Sequence, residues 1–121
     1  MRYVLLIHHA EEVWNKLTEA ERQNVYLEYR NLIQELQARG NYIAGDELQP
    51  AATGTNVQVR DGEQLITDGP FAETREQVGG FFLIEAKTQD EAVRIAGRIP
   101  SARMGTIEVR PVVAGEMATS A

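Results

Sequence analysis

Residues 67–84 have the sequence TDGPFAETREQVGGFFLI, which joins a tight turn, a charged loop and the most apolar strand candidate of the chain. Proline fixes its own φ and glycine relaxes the backbone beside it, so Gly69-Pro70 predicts a rigid turn. Asp68 can accept hydrogen bonds from the backbone N–H groups that follow it, as in an Asx turn. Residues 81–84 are apolar on both faces, which indicates a strand that is buried on both sides.

Two interpretations of Asp68 stay open at this point. It is either a turn former or a functional carboxylate that a rigid loop holds at the mouth of a cleft. The charged residues Glu73, Arg75 and Glu76 are either solvated side chains or ligand contacts. Gly79-Gly80 allows close approach of the backbone at the start of the strand.

Length and composition limit the classes of protein that this chain can belong to. Its 121 residues fit one domain, and we expect residues 1–113 to form it, followed by a disordered tail over residues 114–121. The net charge of −6 without a basic stripe argues against nucleic-acid and anionic-membrane partners. The absence of cysteine excludes a disulfide frame and a thiol catalyst. No stretch resembles a signal peptide or a membrane span. A cytoplasmic protein is therefore expected.

The remaining elements follow from hydrophobic periodicity and capping signals. Capping boxes at Thr18/Glu21 and Thr88/Glu91 each predict the start of an amphipathic helix. The first helix ends at Gly40 and the second at Pro100. Asp61-Gly62 predicts a two-residue hairpin turn. The strand candidates are residues 3–9, 42–48, 57–60, 63–66, 80–85 and 106–110.

With the hairpin taken as an insertion, the element order is βαββαβ, the ferredoxin-like plan of the α+β class. This plan places the strands at residues 3–9 and 80–85 in the centre of an antiparallel sheet, with two helices on one face. The other face would then expose apolar side chains from both central strands. A monomer rarely exposes so large a patch, so we expect a homodimer with a cleft where the sheets pack, a dimeric α/β barrel.

The same topology brings chemically useful residues to one end of the sheet. Antiparallel pairing places His8 and His9 beside Gly79-Gly80, into which the loop of Asp68 leads. A carboxylate beside a histidine orients the imidazole and supports proton transfer without a metal or cofactor. Strand alternation points the two histidines to opposite faces, which disfavours a shared metal ion. No phosphate-binding glycine loop or nucleophile elbow is present.

Several side chains have two interpretations each. Either histidine is a strand-end residue bonded to backbone or an acid–base group. Trp14, Tyr3 and Tyr42 are either core residues or pocket walls. The candidates for substrate contact are Arg75, Arg103 and Phe71, although an arginine such as Arg103 is commonly a solvated surface residue.

The chain resembles the YCII-related family, in the branch named for its Asp-Gly-Pro-Phe motif (DGPF). The resemblance extends from Met1 to about Val113, and residues 67–84 carry its most specific part. Further matching segments are Tyr3-Val4-Leu5-Leu6-Ile7, Ala44-Gly45-Asp46-Glu47-Leu48-Gln49-Pro50, Val59-Arg60-Asp61-Gly62, Arg98-Ile99-Pro100-Ser101-Ala102-Arg103 and Ile107-Glu108-Val109-Arg110-Pro111.

The resemblance implies a small bacterial protein with a ferredoxin-like fold that forms a dimeric α/β barrel. It also implies a His–Asp pair in a cleft, with Asp68 as the motif aspartate, and a related member is linked to dechlorination in aromatic breakdown. In this branch tyrosine often stands at the position of His8. Branch members resemble proteins encoded beside alternative sigma factors.

Two hypotheses of function follow, and the sequence leaves open whether the protein is an enzyme. In the first, His8 or His9 paired with Asp68 performs acid–base chemistry on a small organic molecule in a dimer cleft. In the second, the cleft belongs to a non-catalytic binding or regulatory module, with a link to sigma-factor-controlled transcription as one form of it, in which Asp68 only shapes the loop.

Overall fold

The computed structural model describes residues 1–115 of the chain. Residues 116–121, and with them most of the predicted disordered tail at residues 114–121, lie outside this range. The elements are β1 (Arg2–His9), α1 (Glu11–Asn15), α2 (Glu19–Ala38), β2 (Tyr42–Glu47), β3 (Thr55–Arg60), β4 (Glu63–Asp68), β5 (Gln77–Glu85), α3 (Gln89–Arg98) and β6 (Thr106–Pro111). Short 3₁₀ turns at Ala51–Thr53 and Pro100–Arg103 complete the order.

The main sheet has four antiparallel strands in the order β2-β5-β1-β6. The predicted centre of the sheet is therefore confirmed, because β1 and β5 lie side by side with an edge strand on either flank. This is the ferredoxin-like α+β arrangement that the element order predicts.

The core lies between this sheet and the two long helices, α2 and α3. Alternate residues of the central strands point into it, which is the period of two that a strand imposes. Helix positions spaced by three and four residues supply the other side. The buried cluster consists of Tyr3, Leu5, Ile7, Leu32, Leu36, Phe82, Ile84, Ala86, Ala92, Ile95, Ala96 and Ile99.

Both ends of α2 follow the sequence signals. Thr18 Oγ1 accepts a hydrogen bond from the backbone N–H of Glu21, and the Glu21 carboxylate accepts one from the N–H of Thr18. Gly40 has a φ of 78°, the left-handed conformation of a helix C-terminal glycine. The predicted capping box and helix stop are confirmed.

The start of α3 differs in part from the prediction. The hydroxyl of Thr88 caps the backbone N–H of Glu91 at 3.2 Å, as expected. The Glu91 carboxylate instead accepts a hydrogen bond from Asn41 at 3.0 Å, so only half of the capping box forms. The side-chain amide of Asn41 competes for this carboxylate because it lies next to the helix start.

The connection after β1 contains the short helix α1, which the sequence pattern does not predict. Five residues are too few to show a helical hydrophobic period, and Trp14 is the only large apolar residue among them. The helix carries Trp14 toward α2. It therefore contributes to the site rather than to the core.

The predicted hairpin is confirmed, with strands β3 and β4 two residues longer than expected. Asp61 and Gly62 occupy its turn with φ values of 52° and 77°, as a type I′ turn requires. The hairpin forms a separate two-stranded sheet rather than extending the main one.

Among residues 1–115, the helices lack the combination of length and apolar sequence that spanning a bilayer requires.

Candidate active site

A cavity of about 300 Å³ opens between α2 and one end of the main sheet. Its floor is formed by β1 and β5, and its walls come from α1, α2 and β2. The residues that line it are Ile7, His9, Trp14, Tyr26, Tyr29, Ile33, Tyr42, Gly45, Asp46, Glu47, Gly79, Gly80, Phe82 and Ser101. It is a concave, largely apolar surface on which several polar groups converge, which makes it the candidate site.

His9 lies on the floor of this cavity. It pairs with Gln77 at the end of β1, as the topology predicts, and its side chain points to the helix-covered face. A β-bulge between Ile7 and His8 leaves Gly79 as an extra residue in β5. A methyl group at Gly79 would overlap the imidazole ring, so the absence of a side chain at this glycine leaves the space that the His9 ring occupies.

Five aromatic side chains enclose the space above His9. Trp14 and Tyr26 meet edge to face, with ring centroids 5.5 Å apart and an interplanar angle of 79°. Phe82 makes the same kind of contact with Tyr42, at 5.3 Å and 83°, and with Tyr29, at 6.1 Å and 71°. Perpendicular rings enclose a space from several directions instead of filling it as a stack.

Two polar pairs stand among these rings. The Tyr26 hydroxyl donates to both carboxylate oxygens of Glu47, at 3.0 and 3.2 Å. The Tyr29 hydroxyl lies 2.6 Å from Oγ of the buried Ser101. Burial raises the pKa of the Tyr29 hydroxyl, and burial likewise raises the pKa of Tyr42. Both phenols therefore stay neutral at physiological pH.

His8 lies on the opposite face of the sheet, outside the cavity. Its Nε2 is 3.0 Å from Oε1 of Glu108, and the guanidinium of Arg110 binds the other carboxylate oxygen. Arg110, and after it His8, holds the pKa of the Glu108 carboxyl below its usual range. The histidine thus already has an acidic partner, one that the sequence did not single out.

Asp68 is the last residue of β4, where it pairs with Thr55 and is exposed. The predicted Asx turn is wrong, because within residues 1–115 no backbone N–H donates to its carboxylate. The turn is held by Asn56, whose side-chain amide donates to the carbonyl of Gly69 at 2.8 Å. Gly69 itself has a φ of 94°, a conformation that glycine tolerates.

The structure does not bring Asp68 together with either histidine in the described residues of one chain. Asp68 is not among the residues that line the cavity around His9. His8 bonds to Glu108 instead. The predicted His–Asp pair stays a prediction.

The three predicted substrate contacts also lie outside the cavity lining. Phe71 is 83% exposed on the loop before β5. Arg75 is exposed, with its Nε 3.8 Å from Glu12. One guanidinium nitrogen of Arg103 donates to both carboxylate oxygens of Glu28, at 2.8 and 3.0 Å.

Tyr26, Glu47 and Ser101 are site residues that sequence reasoning missed. Tyr26 and Ile33 flank the buried stripe of α2, and this flanking position is the one signal that could have marked them as cavity walls. Glu47 could be found only through the pairing of β2 with β5, which sets it beside Gly80. In the described part of the chain, no three His, Asp or Glu side chains are grouped to hold a metal ion.

The antiparallel sheet with helices on one face defines a ferredoxin-like α+β protein. The family model of the YCII-related domain matches residues 1–116, so the chain belongs to the YCII-related family. It is also similar to an uncharacterised protein of Rhizobium meliloti (strain 1021), with 31% identity over 114 residues. The alignment covers 93% of this chain and 92% of that protein.

Proposed function

We propose that the protein binds a small organic molecule in the cavity between α2 and the sheet, with His9 as the acid–base group. The observation that carries the proposal is the position of His9, which lies on the floor of an aromatic-walled cavity against Gly79. Its imidazole has no hydrogen-bond partner among residues 1–115, so it is available to a ligand.

The dimensions and chemistry of the cavity fit this role. Its volume of about 300 Å³ is at the lower end of the usual range for small-molecule sites. Apolar walls with a few polar groups exclude water and orient a ligand, and an imidazole transfers protons near neutral pH without a metal or cofactor. This supports a cofactor-free enzyme more strongly than a purely structural role.

The test begins with a ligand screen. Binding of a compound should raise the thermal midpoint of the wild-type protein. For a compound that is converted, we expect His9→Asn to lower turnover by about 10²- to 10⁴-fold, the usual contribution of a general acid or base. The matched control is His8→Asn, which changes the neighbouring histidine on the other face and should leave turnover unchanged.

Asp68→Asn then tests the predicted His–Asp pair. Asparagine removes the charge and keeps the size of the side chain. A fall in turnover with unchanged ligand affinity would support the pair, and unchanged turnover would contradict it. A compound that binds and is never converted would favour the non-catalytic binding or regulatory module. The proposal as a whole fails if no compound binds, or if binding persists when the cavity is blocked.

We also propose that the chain belongs to the Asp-Gly-Pro-Phe branch of its family and acts in the cytoplasm. The motif at residues 68–71 supports the first point. The acidic, cysteine-free composition supports the second.

The open face of the main sheet supports the proposal of a homodimer. Val4, Leu6, Phe81 and Leu83 are half-buried on the face that no helix covers. A second copy packed on this face would remove these side chains from water. We expect sedimentation velocity to give a dimer for the wild type and a monomer for Leu83→Glu.

The control for this experiment is Val93→Glu, which places the same charge at an exposed apolar position of α3. It should leave the dimer intact. A wild-type protein that sediments as a stable monomer at micromolar concentration would contradict the proposal.

A further inference from the structure

The walls of the cavity have one consistent electrostatic character. An aromatic ring presents negative potential on its face, and five rings surround this space: Trp14, Tyr26, Tyr29, Tyr42 and Phe82. No lysine or arginine is among the lining residues in the described part of the chain. The only lining side chain that could become positive is the imidazole of His9.

A carboxylate adds to this negative potential. Glu47 pairs with Gly80, so its side chain shares the cavity face of the sheet and bonds to Tyr26. Asp46 also borders the cavity, but it pairs with Phe81, whose side chain belongs to the opposite face. Glu47 is therefore the carboxylate that faces a ligand.

Two arginines near the cavity are each paired with a carboxylate outside it. Arg103 is held by Glu28, with contacts of 2.8 and 3.0 Å. The guanidinium of Arg22, whose charge lowers the pKa of Tyr26, is 3.6 Å from the Glu19 carboxylate. An anionic ligand would therefore meet a carboxylate and ring faces in this cavity, whose described lining contains no lysine or arginine to balance it.

We infer that the ligand of this cavity is a small organic cation, an ammonium or alkylammonium group held by the aromatic rings and the Glu47 carboxylate. The inference rests on the proposed function and names its ligand class. Aromatic rings bind quaternary and protonated ammonium groups through the quadrupole of the ring, and a carboxylate strengthens this binding. The net charge of −6 also favours the approach of a cation.

The acidities of the wall residues agree with this inference. Burial raises the pKa of the Tyr26 hydroxyl, and the hydrogen bond to Glu47 raises it further. Burial also raises the pKa of Tyr29; the hydrogen bonds with Ser101 oppose this, and the smaller effects of the Glu47 and Arg103 charges have opposite signs. Burial disfavours charge of either sign, so only the Glu47 contribution to these shifts favours a positively charged ligand.

The test compares three probes of one shape and different charge. Choline carries a trimethylammonium group, and its neutral isostere 3,3-dimethylbutan-1-ol carries a tert-butyl group in that place. The carboxylate 3,3-dimethylbutanoate, which has the same tert-butyl group, is the matching anion. Trp14 is the only tryptophan of the chain, so its indole N–H resonance reports directly on the cavity wall. We expect choline to bind about five- to thirtyfold more tightly than the neutral isostere, the range of a cation–π contact.

A matched pair of variants assigns the charge effect to the cavity. Glu47→Gln keeps a hydrogen-bond acceptor for Tyr26 and removes the charge, so it should weaken choline severalfold and leave the neutral isostere unchanged. Glu63→Gln removes the same charge from the exposed end of the hairpin and should change neither affinity.

Three outcomes would overturn the inference. If the neutral isostere or the anion binds as tightly as choline, the cavity remains a ligand site and its ligand class is wrong. If none of the three probes binds while another compound from the screen does, the same conclusion holds. If no probe and no screened compound moves the Trp14 signal, both the inference and the proposed function fail.

Discussion

We expect Gly79→Ala to abolish ligand binding in the cavity. The new methyl group would occupy the space in which the His9 ring lies, so the imidazole must leave the floor or β5 must shift. Overpacking of this kind usually destabilises a protein by about 1–3 kcal/mol, which leaves a folded chain with a rearranged site. The measurement is ligand affinity, with the free energy of unfolding from urea denaturation measured in parallel.

The chain offers a matched control for this substitution. Gly97 is an exposed glycine of α3, and an added methyl group there would have no heavy atom within 4 Å. Gly97→Ala should leave ligand affinity unchanged and stabilise the protein by up to about 1 kcal/mol, because alanine favours a helix. Undiminished binding by Gly79→Ala would show that the position of His9 is irrelevant to the ligand.

We expect Leu36→Ala to produce the largest loss of stability among simple substitutions in α2. Leu36 is 1% exposed and belongs to the core cluster between this helix and the sheet. Truncating such a leucine removes buried apolar surface and leaves a cavity, at a cost of about 2–5 kcal/mol. Urea denaturation followed by circular dichroism would measure it.

Leu27 provides the comparison on the same helix. It is 48% exposed, so Leu27→Ala should change the free energy of unfolding by no more than about 0.5 kcal/mol. Equal effects of the two substitutions would contradict the packing of α2 against the sheet. Because α2 also carries Tyr26 and Tyr29, such a result would undermine the cavity walls as well.

The fold could be predicted from the sequence because its signals are local. The doubly apolar strands indicated the centre of the sheet, and the caps at Thr18 and Gly40 defined α2. The pairing of His9 with the segment before Gly79 followed from topology alone. Each of these depends on neighbours along the chain or on the order of the elements.

The site could be predicted only in part because it depends on which face of the sheet the helices cover. Strand alternation separates His8 from His9 without saying which of them meets α2. The strand period likewise could not reveal that Glu47 faces Tyr26, since that contact joins two elements that are distant in sequence. The sequence left Asp68 as either a turn former or a functional carboxylate; in the structure it ends β4, and the side chain of Asn56 makes the hydrogen bond to the turn at Gly69.

Because strand alternation places the adjacent histidines on opposite faces of the sheet, each has its own surroundings. His9 is fixed by the shape of the cavity floor, where even a methyl group opposite it is too large. His8 contacts Glu108 on the open face of the sheet, away from the cavity. A substitution at His8 therefore leaves the cavity lining unchanged, whereas a substitution at His9 or Gly79 alters it.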